Sequence, residues 1–275
     1  MFDLFILKEW DKFCEEITSN YKFIRADQIL SQSDDASWIL IKHDVETNVM
    51  KALAVAKIEA KHNIYSTFYV QSYLLENNYK ALLEIQSMGH EVTYHYDVLD
   101  SNGGCYQSSA SEFKHTIEKF KEYGFDVTTV CPHGNPIMNR NGWSSNKDFF
   151  RNENVRNYFS DIFDIVVDLP KMVKGEVIYI SDAGYGWKQI VNIENNDQLN
   201  EGDREIDDLN AIEELIGSNK KVIISTHPHR WEESRFKAVV NSLLFKFIRI
   251  IVKPLARIGI INRILSKFYY LAKKI

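Results

Sequence analysis

Asp44 and Glu46 stand two residues apart in the run Lys42-His43-Asp44-Val45-Glu46. In an extended chain both carboxylates share one face, with His43 and Val45 on the other. Side by side, one carboxylate can hold a metal ion while the other takes a proton from water. The same pair would also serve as cap and first-turn acid of a helix starting near Asn48. His95 closes the strand-like run Glu91-Val92-Thr93-Tyr94 and is a candidate metal ligand. His90 is five residues earlier, so strand alternation sends it to the opposite face. Gly89-His90-Glu91 reads as a helix stop, which makes His90 structural. Pro132-His133-Gly134-Asn135-Pro136 is a tight turn able to present an imidazole or backbone N–H groups. His227 and His229 flank Pro228 beside Arg230 and Trp231, and either histidine could act as a general acid. His62 and His115 fall within or at the ends of helical patterns and read as surface or core-edge residues.

The positioning elements are legible as alternating strand and helix signals. Strand-like segments are 38–41, 65–70, 91–94, 127–131, 163–169, 177–180 and 222–226, and helical periodicity covers 48–62, 76–88, 109–123 and 207–216. Ser111 is the expected N-cap of the third helix. The polar stretch 192–210 reads as a surface excursion. Such alternation predicts parallel βα units, in a barrel or an open sheet, with ligands bound beyond the carboxyl ends of the strands. The polar clusters sit just past strand signals.

The 275 residues are 45% hydrophobic and 26% charged, a composition for a globular fold large enough to need no disulfide staples. Cys14, Cys105 and Cys131 are odd in number and widely spaced, which excludes a disulfide framework and a zinc ribbon and suits a reducing compartment. The start, with Asp3 and Glu9, lacks the basic and apolar regions of a signal peptide, and no uninterrupted apolar run has the length of a membrane span. Secretion and bilayer-spanning are therefore not expected.

In this order, these clusters resemble the NodB-homology polysaccharide deacetylases of carbohydrate esterase family 4. Lys42-His43-Asp44-Val45-Glu46 is similar to a variant of the Thr-Phe-Asp-Asp motif. Ser66-Thr67-Phe68-Tyr69-Val70 is similar to Ala-Thr-Phe-Phe-Val, and Gly89 to His95 to Gly-His-Glu-Ile-Gly-x-His. Cys131-Pro132-His133-Gly134 falls where the family carries Arg-Pro-Pro-Tyr-Gly, and Ile223 to His227 resembles Leu-x-Leu-x-His. Within the family, the likeness is greatest to deacetylases encoded with bacterial surface-polysaccharide biosynthesis.

The resemblance implies a distorted (β/α) barrel over residues 1–233 with one divalent metal ion, zinc first and nickel or cobalt as alternatives. Carried over by motif, Asp44 is the base, Glu46 the metal carboxylate, His95 a metal histidine and His227 the general acid; the inserted Val45 leaves Asp44 and Glu46 exchangeable. The family's second metal histidine falls on Leu99, which cannot ligate. His133 is the first substitute and Asp97 the second. Asn135, Asp182, Trp187, His229 and Arg230 are placed on the saccharide side, with Asp182 also available to orient the acid histidine. Tyr185, Trp187 and Trp231 offer sugar stacking, with core packing as the default. The implied activity is hydrolysis of an acetyl amide on an N-acetylated sugar or lipid-linked saccharide. Hydrolysis of O-acetyl or formyl groups, or a non-catalytic saccharide-binding relic, are the alternatives.

Ten of the 33 Lys and Arg residues fall in 234–275, and none of the 38 Asp and Glu residues does, leaving 23 bases against 38 acids before them. Leu243, Leu244, Phe247, Ile250 and Ile251 recur at helical spacing among these bases. Pro254 should break the run, and a second amphipathic helix is expected over 258–273. Residues 234–275 thus read as a basic amphipathic tail, on a membrane surface or packed on the barrel. The expected location is cytoplasmic, peripheral on the inner face of the cell membrane. No nucleic-acid-reading motif accompanies the charge, so nucleic acid is not an expected partner.

Overall fold

The computed structural model describes residues 5–255 except 19, 136, 137, 139, 183, 184 and 194–202, with backbone alone for 246 and 248–255. Helix α1 (Leu7–Thr18) precedes β1 (Trp38–Val45), which is followed by α2 (Val49–Lys61), β2 (Thr67–Val70), α3 (Ser72–Ser87) and β3 (Glu91–Tyr96). A single turn α4 (Val98–Ser101), then α5 (Tyr106–Glu122) and β4 (Thr129–Pro132) come next. Short helices α6 (Asp148–Arg151) and α7 (Glu153–Tyr158) lead to β5 (Phe163–Asp164) and α8 (Leu169–Met172). The chain closes with β6 (Ile178–Ser181), β7 (Trp187–Ile190), β8 (Arg204–Ile206), α9 (Leu209–Ser218), β9 (Lys221–Thr226) and α10 (Arg235–Leu255).

The nine strands form one sheet in the order β5-β4-β3-β2-β1-β9-β6-β7-β8. Every pair from β5 to β6 is parallel, and β7 and β8 are added antiparallel. The α/β class with a parallel sheet is as the alternation predicts, and no ladder joins β5 to β8 among the described residues. Successive units run outward from β1 through β2 to β5, while β9 flanks β1 on the other side. The carboxyl ends of β1, β3, β4, β6 and β9 therefore gather the polar clusters at one end of the sheet, beside the strand where the order changes direction.

All eight residues of β1 are buried, including Lys42, His43 and Asp44, so each polar group there must find a partner inside the protein. The face opposite the site meets most of this need with a network around Glu59, which leaves only His43 Nδ1 of the β1 groups on that face without a hydrogen bond. His43 Nε2 donates to Glu59 Oε1 at 2.9 Å, joined by Trp10 Nε1 at 3.1 Å, while Ser66 donates to Glu59 Oε2 at 2.6 Å. His90 accepts the Ser66 backbone N–H at Nδ1 and donates from Nε2 to the Ala56 carbonyl, both at 3.0 Å. That is the structural role its spacing predicts, and burial holds its pKa below the ordinary histidine value.

Several boundaries differ from the sequence reading. Helix α5 starts at Tyr106, capped by Cys105, and Ser111 lies inside it. Tyr106, Ala110, Phe113 and Phe120 line up on the core side, and that apolar face pulls the first turn in. The strand expected over 163–169 ends at Asp164, because its Oδ1 accepts the Val166 and Val167 N–H groups at 2.8 and 2.9 Å and turns the chain. Residues 204–206, inside the expected surface excursion, form β8. Pro254 lies within α10, which is described as far as Leu255, and the helix expected over 258–273 lies outside the described residues.

At the opposite end of the sheet Glu91 is buried with Thr67, Thr129 and the Asp27 N–H bonded to its carboxyl group. Burial, reinforced by Asp27, pushes it up to about 7 from 4.5. The fold therefore binds this proton more tightly than the unfolded chain, and stability falls as pH rises through that window. Glu91→Gln is expected to gain up to about 3 kcal/mol on the native protein between roughly pH 5 and pH 8, measured by urea unfolding at both ends.

Candidate active site

Alternation along β1 aims Lys42 and Asp44 at one face, and Glu46 follows just beyond the strand. Glu46 is the hub: its Oε1 lies 3.2 Å from His133 Nε2, 3.8 Å from His95 Nε2 and 3.7 Å from His227 Nε2. Burial opposes its ionisation, but the histidines outweigh this and hold Glu46 well below the usual carboxylate range. His95 comes from the end of β3, His133 from just past β4, and His227 from just past β9.

One atom from each of Glu46, His95 and His133 lies within 4.8 Å of the others, the spacing of a metal site. The donor chemistry fits a divalent ion. His95 Nδ1 donates to the Cys131 carbonyl at 3.0 Å, so in the neutral ring Nε2 presents a lone pair toward the Glu46 carboxylate. Two acceptors facing each other require a proton or a metal between them. Ligand atoms on a tetrahedral zinc stand about 3.4 Å apart, close to the separations found. Without a metal, burial works against the imidazolium, but Asp44, the Cys131 bond and Glu46 outweigh it and His95 is pushed up to about 10.

A second set, Asp44, His95 and Cys131, meets the same spacing. Its cation position is already taken. Lys42 Nζ donates to both Asp44 oxygens at 2.7 and 2.8 Å and to Cys131 Sγ at 3.2 Å, fully buried. Burial disfavours both charges, but each holds the other ionised, Lys42 raised well above its ordinary value and Asp44 lowered. Of the two residues considered in place of Leu99, His133 falls in the first group with Glu46 and His95. Asp97, at the start of α4, joins neither set, and Leu99 is buried in the apolar core.

His227 carries the second half of the site. Its Nδ1 donates to Asp182 Oδ1 at 2.6 Å, and its backbone N–H and the Thr226 hydroxyl donate to Oδ2, each at 2.8 Å. Arg230 Nη1 donates to Oδ1 at 2.7 Å and also to the Asp182 carbonyl. Burial opposes the Asp182 charge, but Arg230 and His227 hold it far below the usual range. Nε2 of His227 is thereby left toward Glu46. Arg230 is committed to Asp182 and so braces the dyad instead of reaching outward. His229 lies edge-on to His227 with ring centroids 5.7 Å apart. Burial, then His227, pushes it down to about 4, so it is neutral at pH 7.

One expectation on the saccharide side, that for Trp187, is corrected, while Trp231 takes the core packing expected by default. Trp187 is buried in the apolar core against Phe5, and Trp231 is buried too, its Nε1 donating to Thr226 at 2.8 Å. Their large apolar surfaces gain more from core packing than an open pocket offers, so neither faces a sugar. Asn135 is buried beside the site, and its carbonyl accepts Arg140 Nη2 at 3.0 Å.

The loop bearing His133 and Asn135 hangs on a network that sequence reasoning missed. Asn146 Nδ2 donates to the His133 carbonyl at 2.9 Å and to Asp100 at 3.0 Å. Buried Asp100 also takes Arg140 at 2.8 Å through each oxygen and Trp143 Nε1 at 2.9 Å. These partners lie far apart in sequence, so spacing alone gave no sign of them. Lys42 did leave a sign: it shares the period-two face of Asp44. Asn146→Ala is expected to weaken zinc affinity by roughly 10- to 100-fold, read by chelator competition on protein verified as folded.

No family model and no curated protein matches the chain. Among solved structures, the chain is similar to a family 4 carbohydrate esterase from Streptomyces lividans, at 13% identity and a TM-score of 0.43 over 70% of this chain and 79% of that one. It is also similar to the catalytic domain of a peptidoglycan N-acetylglucosamine deacetylase from Eubacterium rectale, at 13% identity and a TM-score of 0.45 over 78% and 86%. A peptidoglycan deacetylase from Bacillus subtilis matches at 13% identity and a TM-score of 0.38 over 82% and 100%.

Proposed function

We propose that the chain is a metal-dependent hydrolase that removes an acetyl group from the nitrogen of an N-acetylated saccharide. The observation that carries this is the convergence of Glu46, His95 and His133 on one point with the His227–Asp182 dyad beside it. The saccharide, and a place in surface-polysaccharide assembly, follow from the motif resemblance in the sequence.

Glu46, His95 and His133 would hold the ion, which when bound lowers the pKa of water and polarises a carbonyl. The remaining work belongs to the chain. An amine leaves poorly as an anion, so C–N cleavage needs a proton delivered to nitrogen. His227 Nε2 is the donor, and Asp182, whose carboxylate accepts three hydrogen bonds besides the one from the ring, sets the tautomer and supports the imidazolium. Asp44 is the carboxylate base, in an exchangeable pair with Glu46.

The Lys42 ammonium favours a second reading. A base whose two oxygens both accept from a buried cation has low basicity, which suits a non-catalytic saccharide-binding protein of the same fold. The test is acetate release from N-acetylated oligosaccharides by zinc-loaded protein. Release abolished in His227→Ala supports the hydrolase. No release from N- or O-acetylated saccharides, with sugar binding intact in His227→Ala, establishes the binding protein instead.

A further inference from the structure

Helix α10 leaves one face without a partner among the described residues. Phe236, Val240, Leu243, Leu244 and Phe247 are between 44% and 78% exposed. Their spacing puts them on a single stripe of the helix. The opposite face is anchored: Ala238 and Ser242 are buried, Asn241 Nδ2 donates to Glu232 at 2.5 Å, and the Phe245 ring lies 4.6 Å from Tyr185. Helix α10 is thus docked on the body by one side and presents five large apolar side chains on the other. A stripe of this size on a soluble surface marks an interaction site.

Charge selects the occupant. Arg235 and Lys237 are exposed at the start of the helix, and residues 234–275 hold ten Lys and Arg with no Asp or Glu. A second copy of the same face would bring two such blocks of like charge together. A surface both apolar and negatively charged satisfies stripe and cations at once, and an anionic lipid bilayer is that surface. No helix among the described residues is long and apolar enough to cross a membrane, and a one-sided apolar stripe suits a helix lying in the interface.

We propose that the exposed face of α10 docks the protein on anionic lipid membranes and so brings the His227 side of the site to the bilayer surface. The connection is short. Tyr185, against which Phe245 packs, lies under the Arg230 guanidinium at 5.2 Å, and Arg230 braces the Asp182 that holds His227. The substrate class that matches is a saccharide carried on a lipid. That second step rests on the hydrolase reading; docking does not.

The test is co-flotation of the full-length chain with vesicles of phosphatidylglycerol and phosphatidylcholine, against phosphatidylcholine alone, at low and high salt. Binding confined to anionic vesicles, and weakened about tenfold or more by raised salt, is expected. Phe247→Asp and Leu243→Asp each expose a charge on an already exposed site, and each should weaken binding about tenfold or more with the circular dichroism spectrum unchanged. If either variant fails to fold, Leu244→Asn and the salt series carry the test. Absence of flotation with anionic vesicles at low salt overturns the proposal. A dimer in solution that these substitutions disperse also overturns it, by assigning the face to a second copy. A non-floating monomer overturns it in favour of residues 256–275 as the cover. Flotation without saccharide hydrolysis leaves docking standing and removes the lipid-linked substrate alone.

Discussion

Asp182→Asn is expected to lower the rate of acetyl hydrolysis by about 10²- to 10⁴-fold, the range over which a positioned general acid contributes. Asp182 accepts a hydrogen bond from His227 Nδ1 at 2.6 Å and another from the His227 backbone N–H at 2.8 Å, so it fixes both ring and backbone of His227. An amide in its place removes the charge that supports the imidazolium and can offer its NH₂ to the ring, inverting the tautomer. Because both residues act as one unit, the double variant with His227→Ala should be no slower than His227→Ala alone. The substitution also leaves buried Arg230 without its carboxylate, so some stability is lost with it. Rates should therefore be compared well below the unfolding temperature of each variant. Hydrolysis retained within a few-fold in folded Asp182→Asn would remove His227 from the acid role.

Lys42→Met is expected to cost about 3–5 kcal/mol of stability, the usual penalty for stripping one partner from a buried ion pair. The ammonium is 1% exposed and donates to both oxygens of Asp44, so methionine keeps the volume and strands the anion. A double change to Lys42→Met with Asp44→Leu should recover most of the loss, since paired replacement by apolar groups is nearly neutral. The pH dependence has a definite sign. With Lys42 present Asp44 is depressed, and that stabilisation is lost only as pH falls through its folded pKa. Without Lys42, burial raises Asp44, so the variant recovers stability on protonation and its deficit narrows as pH is lowered from about 8 toward 5. Urea denaturation across that range gives both quantities. A deficit independent of pH would mean that Asp44 is not the stranded charge.

What could be read in the sequence was whatever depends on local period and position. The βα alternation gave the parallel sheet, and the rule that ligands sit past strand ends drew attention to the residues around Glu46, His95, His133 and His227. Strand alternation separated His90 from His95, and the two indeed lie in different networks. Long-range pairing was hidden. Lys42 approaches Cys131, 89 positions away in the chain, and Asn146 holds the main chain of His133 across a loop. Aromatic residues were ambiguous for a different reason: Trp187 and Trp231 have the composition of a sugar platform and the burial of a core. Nothing in their spacing distinguishes those fates, because the core that claims them includes Phe5 and Trp10 from the other end of the chain.

Glu46, His95 and His133 are proposed to hold one divalent ion, and metal binding to wild type and single variants tests this most directly. Calorimetric titration with zinc should show one equivalent bound with proton release, since the ion displaces the proton from His95. Binding should vanish in Glu46→Gln, His95→Ala and His133→Ala and persist in Cys131→Ser. No zinc, nickel or cobalt bound after reconstitution would contradict the account. So would binding that survives His133→Ala and is lost in Cys131→Ser, which would place the ion in the set that Lys42 now fills.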